Sequence, residues 1–314
     1  MIRIQSVFDV VGLGNSCMDL LGTVPRIPGP DDKVELSDTS RQGGGEVGTA
    51  LACLAKLGSE TAFVGKVGDD LTGTFIKDDF NKYGVNTDNL VIEPGSTSPF
   101  SIVMVEECSG QRTIIDCGKT VSDLNPEEIQ PGLIEKSHYL HLDSWHREAA
   151  LIAAMRARST NIPVVLDADI PAYDSEITKL IQLTDILISS QPFARLFTKT
   201  DDLDASMDHM IKLGPTIVMV TLGKYGVLCD AKGERFITPA FDVEMVDTTG
   251  AGDVFHGAFI HGMLRGWELK KSIEFASAVA AIKCKKMGGR AGIPTFAETL
   301  NFLRGRETKY FNNA

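Results

Sequence analysis

Val246-Asp247-Thr248-Thr249-Gly250-Ala251-Gly252-Asp253-Val254-Phe255 is the stretch whose reading organises the rest of the chain. An apolar helical pattern follows it, through Val254, Phe255, Ala258, Phe259 and Met263. Small residues at 250–252 opening a helix leave backbone N–H groups unpaired and unshielded. With the positive end of the helix dipole behind them, these amides form a pocket for an anion such as a transferring phosphoryl group. Asp253 falls in the first turn, where the same dipole favours its ionised form, and a carboxylate beside an anion hole can take a proton from an attacking hydroxyl. Taken alone, Asp253 is equally well explained as a helix cap. The Gly-Ala-Gly run immediately upstream favours the catalytic role.

Outward from this stretch, short runs rich in Val, Ile and Leu recur at 7–14, 61–68, 138–144, 163–169, 185–190 and 216–223. Helical patterns separate them at Glu46–Leu57, Leu71–Tyr83, Arg147–Ser159 and Ala205–Leu213, and after Asp247 the main pieces are Val254–Leu264 and Leu269–Cys284. The alternation predicts a three-layer α/β/α sandwich with a mostly parallel central sheet, ligands gathering beyond the carboxyl ends of its strands. Residues 33–42 and 99–118 instead alternate apolar and polar, the second around a Ser109-Gly110 turn. They predict a small antiparallel β lid, its strands within roughly 15–42 and 96–118 of a single domain spanning 1–314, suited to close over a substrate or to join two copies. An ordinary peripheral hairpin is the alternative.

Two further loops carry candidate ligand contacts. Thr221-Leu222-Gly223-Lys224-Tyr225-Gly226 follows an apolar strand and precedes another, so it is either a plain hairpin turn or a set of backbone amides for nucleotide phosphates. Gly43-Gly44-Gly45 precedes the helix from Glu46 and permits close backbone approach, while Asp19 can accept hydrogen bonds from two adjacent sugar hydroxyls if it is not simply a solvated turn residue. Trp145-His146 can stack on a sugar ring or pack in the core. His256 and His261 do not share a helix face and read as packing or surface residues rather than metal ligands. The basic group Lys283, Lys285, Lys286 and Arg290 is either a solvated helix end or a contact to adenine or phosphate.

Bulk properties narrow the class. The 314 residues carry a formal charge of −11, the pI is near 5.1, and no basic face for nucleic acid is expected. Six cysteines without a C-x-x-C pair read as reduced and mostly buried. No apolar stretch is long enough to cross a bilayer, and the start MIRIQSVFDVVGLG lacks the pattern of a signal peptide, so a cytoplasmic protein with no membrane partner is expected. Gly43-Gly44-Gly45-Glu46-Val47-Gly48 matches the dinucleotide fingerprint G-x-G-x-x-G, with Asp69 and Asp70 about twenty residues on. A nicotinamide-dependent oxidoreductase is therefore a competing class. Against it, the preceding KVELSDTSRQ alternates like a half-exposed strand, whereas the fingerprint follows a buried apolar one. No P-loop sequence occurs.

Together these motifs resemble the ribokinase-like carbohydrate kinases, the phosphofructokinase B type. GGGEVGTALACLAKLG with AFVGKVGDDLTG resembles the N-terminal signature of that family and DTTGAGD its C-terminal one. The resemblance implies ATP-dependent phosphorylation of a small sugar, with Asp253 as base and Gly250, Ala251 and Gly252 as anion hole. Ser190, Thr221, Gly223, Gly226 and Lys283 fall in regions that imply contact with ATP; Asp19, Gly44, Gly45, Thr49, Asp143 and Arg112 fall in those that hold substrate. Asp247 and Thr249, with the loop at Gly288 and Gly289, match a region that coordinates potassium, and Mg2+ is implied with ATP. Thr49 stands where many members carry Asn, and Ser190 and Phe193 where they carry N-x-x-E. Within the family the text is similar to the ketohexokinase and sulfofructose kinase-like branch, through Val246–Ala258, Gly288–Pro294 and Lys33. Asp116 and Ser144, however, replace the Asn and Arg expected to hold a sulfonate, so a neutral ketose or pentose phosphorylated on a hydroxymethyl group is expected. Sulfofructose, another sugar derivative or a nucleoside are the alternative acceptors, a non-catalytic sugar sensor the alternative role, and a homodimer through the lid strands the expected assembly.

Overall fold

Nine strands share one sheet because seven of them bury apolar side chains on both faces, which only a helix-covered, mostly parallel sheet satisfies. The structure, a computed structural model, describes residues 8–169, 175–306 and 308–311; Val7, expected in the first strand, and the start of the chain before it lie outside them. The large sheet comprises β1 (Phe8–Leu13), β4 (Thr61–Gly68), β5 (Leu90–Glu93), β8 (Ser137–Leu142), β9 (Val164–Ala168), β10 (Ile186–Ser190), β11 (Ile217–Thr221), β12 (Val227–Ala231) and β13 (Glu234–Thr238). Its order is β13-β12-β11-β10-β9-β8-β1-β4-β5, parallel except at β12 and β13.

Period-2 alternation splits the core in two. Val10, Phe63, Val165, Ile188 and Met219 face one side with α1 (Glu46–Leu57), α2 (Leu71–Tyr83), α7 (Ala251–Leu264), α8 (Leu269–Lys283) and α9 (Phe296–Arg304). Val11, Val64, Leu166, Leu187 and Val218 face the other, with α3 (Arg147–Ser159), α4 (Ser175–Gln182), α5 (Gln191–Thr198) and α6 (Leu203–Lys212). This is the three-layer α/β/α sandwich that the alternation predicted.

The small sheet is separate and hangs over the carboxyl end of the large one. It comprises β2 (Cys17–Val24), β3 (Ser37–Gly44), β6 (Phe100–Glu106) and β7 (Arg112–Cys117), in the order β3-β2-β6-β7. The expected antiparallel pairing holds for β3–β2 and β6–β7, while the central pair β2–β6 runs parallel. A long connection through α1, β4, α2 and β5 separates those two strands, and it permits a parallel return that a tight turn could not. Among the described residues Leu21, Val103 and Val105, with Met287 against them, form a small apolar cluster of its own. The sheet therefore depends on its seam with the body. Arg290 is central there: fully buried, it donates from Nη2 to the Gly44 carbonyl at 2.7 Å, from Nη1 to Asp79 Oδ2 at 2.7 Å and from Nε to Thr49 Oγ1 at 3.3 Å.

Candidate active site

Gly250 sits in the left-handed region at φ 73 and caps α7, which begins at Ala251, three residues earlier than periodicity alone suggested. A Cβ at Gly250 would stand 2.7 Å from Gly289 Cα, so the position excludes a side chain on two counts. The Ala251 amide is already used, donating to the Thr248 carbonyl at 3.1 Å. Among the described residues the amides of Gly250, Gly252 and Asp253 donate to nothing, so these three, rather than Ala251, are free for an anion. The Asp253 carboxyl likewise has no hydrogen-bond partner among the described residues. Burial and then the Glu46 charge push it well above the ordinary aspartate range, while Arg112 opposes them.

Asp253 and Gly250 line a cleft of about 480 Å³ between the small sheet and the body. Asp19, Gly44, Gly45, Thr49 and Arg112 line it too, so five expected substrate residues join the base in one cavity. Asp19 is not a loop residue: it lies within β2, where alternation turns it into the cleft. A Cβ at Gly44 would stand 2.4 Å from Asp19 Oδ2, and at Gly45, φ 84, 2.6 Å from the Asn15 carbonyl oxygen. The glycine run thus makes room for a carboxylate and for the turn into α1. Burial raises Asp19 to about 6, and Cys17 Sγ, 3.3 Å away, donates to it and works against that rise. Arg112 reaches from β7 to Thr248 Oγ1 at 2.6 Å and joins lid to anion hole.

Several expected contacts fall elsewhere. Asp143 lies beneath the cleft, buried, accepting the amides of Asn15 at 2.6 Å and Trp145 at 3.0 Å; it holds two loops rather than a sugar. Lys33 is exposed on the 25–36 connection, which an Arg26–Asp32 ion pair closes on itself away from the cleft. Lys283 is 0 % exposed and donates from Nζ to the Asp247 carbonyl at 3.0 Å, bracing the turn before the anion hole instead of meeting adenine or phosphate. Asp247 is buried as well: Oδ1 accepts Thr249 N at 2.8 Å and Thr249 Oγ1 at 2.7 Å, and Oδ2 accepts Gly288 N at 2.7 Å. Three hydrogen bonds thus fall on its carboxylate and an ammonium on its carbonyl, which leaves only part of Oδ2 open toward the expected potassium region.

The expected nucleotide residues lie at the carboxyl ends of neighbouring strands, outside the enclosed part of the cleft. Ser190 and Thr221 pair across β10 and β11, and Gly223 and Gly226 shape the hairpin turn to β12 with φ 56 and 98. The loop is a hairpin turn in which the amides of Leu222, Tyr225 and Gly226 donate to the carbonyls of Gly226, Leu222 and Gly223 at 2.8, 3.2 and 3.0 Å, so a phosphate could meet only those of Gly223 and Lys224. Ser190 Oγ donates to Asp169 Oδ1 at 2.7 Å, and Asp169 lines the cleft. Among the described residues no group of three or more His, Cys, Asp or Glu side chains stands close enough to hold a metal ion unaided. His256 and His261 are buried packing residues as expected, His261 Nδ1 lying 2.9 Å from Ser59 Oγ. Four of the six free cysteines are buried, Cys108 being exposed and Cys117 half-buried.

Glu46, Asp116, Asp169, Trp145 and Lys119 also line the cleft. Glu46 and Asp169 carry no motif that marks them in a single sequence: an acid opening a helix is the ordinary dipole position. The glycine match at 43–48 is no dinucleotide fingerprint, because the strand before it, β3, is the exposed edge of the small sheet, and Asp70 is spent capping α2 through Gly73 N at 2.8 Å.

Comparison with known proteins agrees with this geometry. The profile described as pfkB family carbohydrate kinase matches residues 8–296. A 5-dehydro-2-deoxygluconokinase of Photobacterium profundum is 30% identical over 95% of this chain and 96% of its own. A ribokinase of Haemophilus influenzae is 27% identical over 93% and 97%. The crystal structure of a putative ribokinase from Agrobacterium tumefaciens superposes with a TM-score of 0.85 at 27% identity, covering 96% of this chain and 99% of that one.

Proposed function

The chain belongs to the pfkB family of carbohydrate kinases, and on that premise we propose that it moves the γ-phosphate of ATP to the hydroxymethyl group of a neutral sugar, with Asp253 as the base. One observation carries the reading. An unpartnered carboxylate and three unpartnered amides meet at the start of α7, in the cleft that also holds Asp19.

The sugar lies between the small sheet and the body, its hydroxyls on Asp19 and its ring near Trp145. Asp253 takes the proton of the attacking hydroxyl as the oxygen closes on phosphorus. The amides of Gly250, Gly252 and Asp253 hold the oxygens on which charge gathers, and Arg112 adds a cation from the lid side. Lid strands over the cleft keep water from competing for the phosphoryl group. Phosphates of ATP run from the anion hole toward the amides of Gly223 and Lys224, which the turn leaves unspent, and toward Ser190. Asp169, oriented by Ser190, would hold Mg2+ together with phosphate oxygens, and the ion would supply neutralising charge on the transferring group.

Asp19, Glu46, Asp116 and Asp169 outnumber Arg112 and Lys119 along the walls. Such a lining disfavours anionic acceptors, including the deoxygluconate named for one relative, and supports an uncharged ketose or pentose. A homodimer joined through the lid strands belongs to the same proposal, supported by Ile114 and Ile115 exposed on the edge strand β7.

Asp253→Asn is expected to lower kcat on the order of 100-fold or more while sugar KM changes little, read by coupled ADP release over ketoses, pentoses, nucleosides and sugar acids. A variant that keeps more than a few per cent of the activity removes Asp253 from the role of base.

A further inference from the structure

Glu46 has no part in the mechanism above, yet it lines the cleft with Asp253 and is held there from two sides. Trp145 Nε1 donates to its Oε1 at 3.1 Å, from the loop after β8. Asn15 Nδ2 donates to its Oε2 at 3.1 Å, from the loop after β1. Both clamping residues are themselves fixed by their backbone amides on the buried Asp143 carboxylate. A glutamate serving only the dipole of α1 would need no such frame and would sit more cheaply in water. Taking a carboxylate out of water costs several kcal/mol, which two neutral donors repay only in part. A position held against its own stability is where function is expected.

We propose that Glu46 is a tuning carboxylate, clamped by Asn15 and Trp145 in the cleft it shares with Asp253, which acts through Asp253 to set the pH range in which that base works. The inference rests on Asp253 being the base. Two carboxylates sharing a water-poor cleft repel, so the pair takes up its first proton more readily than a free acid does, and while Glu46 stays ionised that proton goes to Asp253.

The surrounding charges are consistent with this. From the small sheet, Asp19 on β2 and Asp116 on β7 add negative charge, and Arg112 on β7 opposes it. From the body, Asp169 adds negative charge, whereas burial pushes Asp167 well above the ordinary aspartate range and Asp143 up to about 8, so neither brings a full charge at neutral pH. Lys283 from α8 contributes a buried cation. His256, one turn along α7, is held neutral by burial, and its Nε2 lies 3.4 Å from Asp167. After burial itself, the Glu46 charge is the largest influence on Asp253, ahead of Arg112.

The test is the pH profile of kcat/KM for the sugar at saturating MgATP. Catalysis needs Asp253 without its proton, so activity falls on the acid side as the base is protonated. Glu46→Gln removes the repulsion; the acid limb is expected to move to lower pH by about one unit and the plateau to drop several-fold as the base weakens. Glu46→Asp, which keeps the charge, is expected to return the limb toward its original place. A Glu46→Gln protein that melts like the unaltered one yet keeps its limb in place overturns the proposal and leaves Glu46 a helix-opening residue. Should Glu46→Gln not fold, Trp145→Phe removes one donor so that Glu46 takes a proton earlier, and a smaller shift in the same direction is expected; an unmoved limb overturns the proposal equally. High activity in Asp253→Asn would instead defeat the assignment of the base, a result separable from either outcome at Glu46.

Discussion

Asp19 shows how a single side chain trades stability for binding. Its ordinary value of 3.8 rises to about 6 in the folded protein. The folded state thus keeps a proton that the unfolded chain releases between those values. Below pH 3.8 there is no penalty, through the interval stability falls as pH rises, and above about pH 6 the full cost of roughly 3 kcal/mol applies. Asp19→Asn, which carries no charge, is expected to melt a few degrees higher at pH 8 and to lose that advantage below pH 4. The same variant is expected to raise sugar KM about tenfold or more, because an amide cannot accept two hydroxyl protons as a carboxylate does. Paired melting curves at the two pH values and a sugar titration check both halves.

At the scale of an element, α7 is a helix whose beginning matters more than its length. Its apolar body packs against α1, with Gly257 so close to the Ala50 carbonyl that an added Cβ would stand 2.4 Å from that oxygen. Its first turn is kept open by Gly250, whose φ of 73 and contact with Gly289 leave no space for a methyl group. Gly250→Ala is therefore expected to lower stability by about 1–3 kcal/mol, seen in urea midpoints. Its kcat is expected to fall at least tenfold, because the Gly252 and Asp253 amides turn away from the phosphoryl oxygens. The bracing beneath, from Lys283 to the Asp247 carbonyl and from Gly288 and Thr249 to the Asp247 carboxylate, fixes the shape of this turn.

At the scale of the whole molecule, the catalytic cleft exists only where two sheets meet. Cys17, Leu21, Val24, Val103 and Val105 are the buried apolar residues of the small sheet among those described, too few for independent stability. It is held by Arg290, by Gln42, whose Oε1 accepts the Arg290 and Ala291 amides at 3.2 and 3.0 Å, and by Arg112 on Thr248. Its edge strand β7 leaves Ile115 46 % exposed, an edge that association with a second copy would cover. Ile115→Lys is expected to convert a sedimenting dimer into a monomer and to lower activity as the lid loosens. A dimer unchanged by this substitution moves the contact to another surface.

Local physics made much of this legible in the sequence. Period-2 and period-3.6 patterns report backbone hydrogen bonding and burial within a dozen residues, so they were sufficient for the inner strands, the longer helices and the lid segments, but not for the short or edge elements β5, β13, α4, α5 and α9. The parallel pairing of β2 with β6 was not written locally, since it depends on a return from about eighty residues away. Nor was the orientation of the acids: Asp143 and Glu46 look alike on paper, yet one sits beneath the cleft floor and the other faces the reaction, because contacts with Asn15 and Trp145 decide it. Lys33 and Lys283 carry the same charge, and only the tertiary structure sends one to solvent and the other under the Asp247 turn. A sequence specifies which groups are available and which elements carry them; three-dimensional packing decides which of them share a cavity, since burial and electrostatic coupling arise between residues that the chain itself keeps far apart.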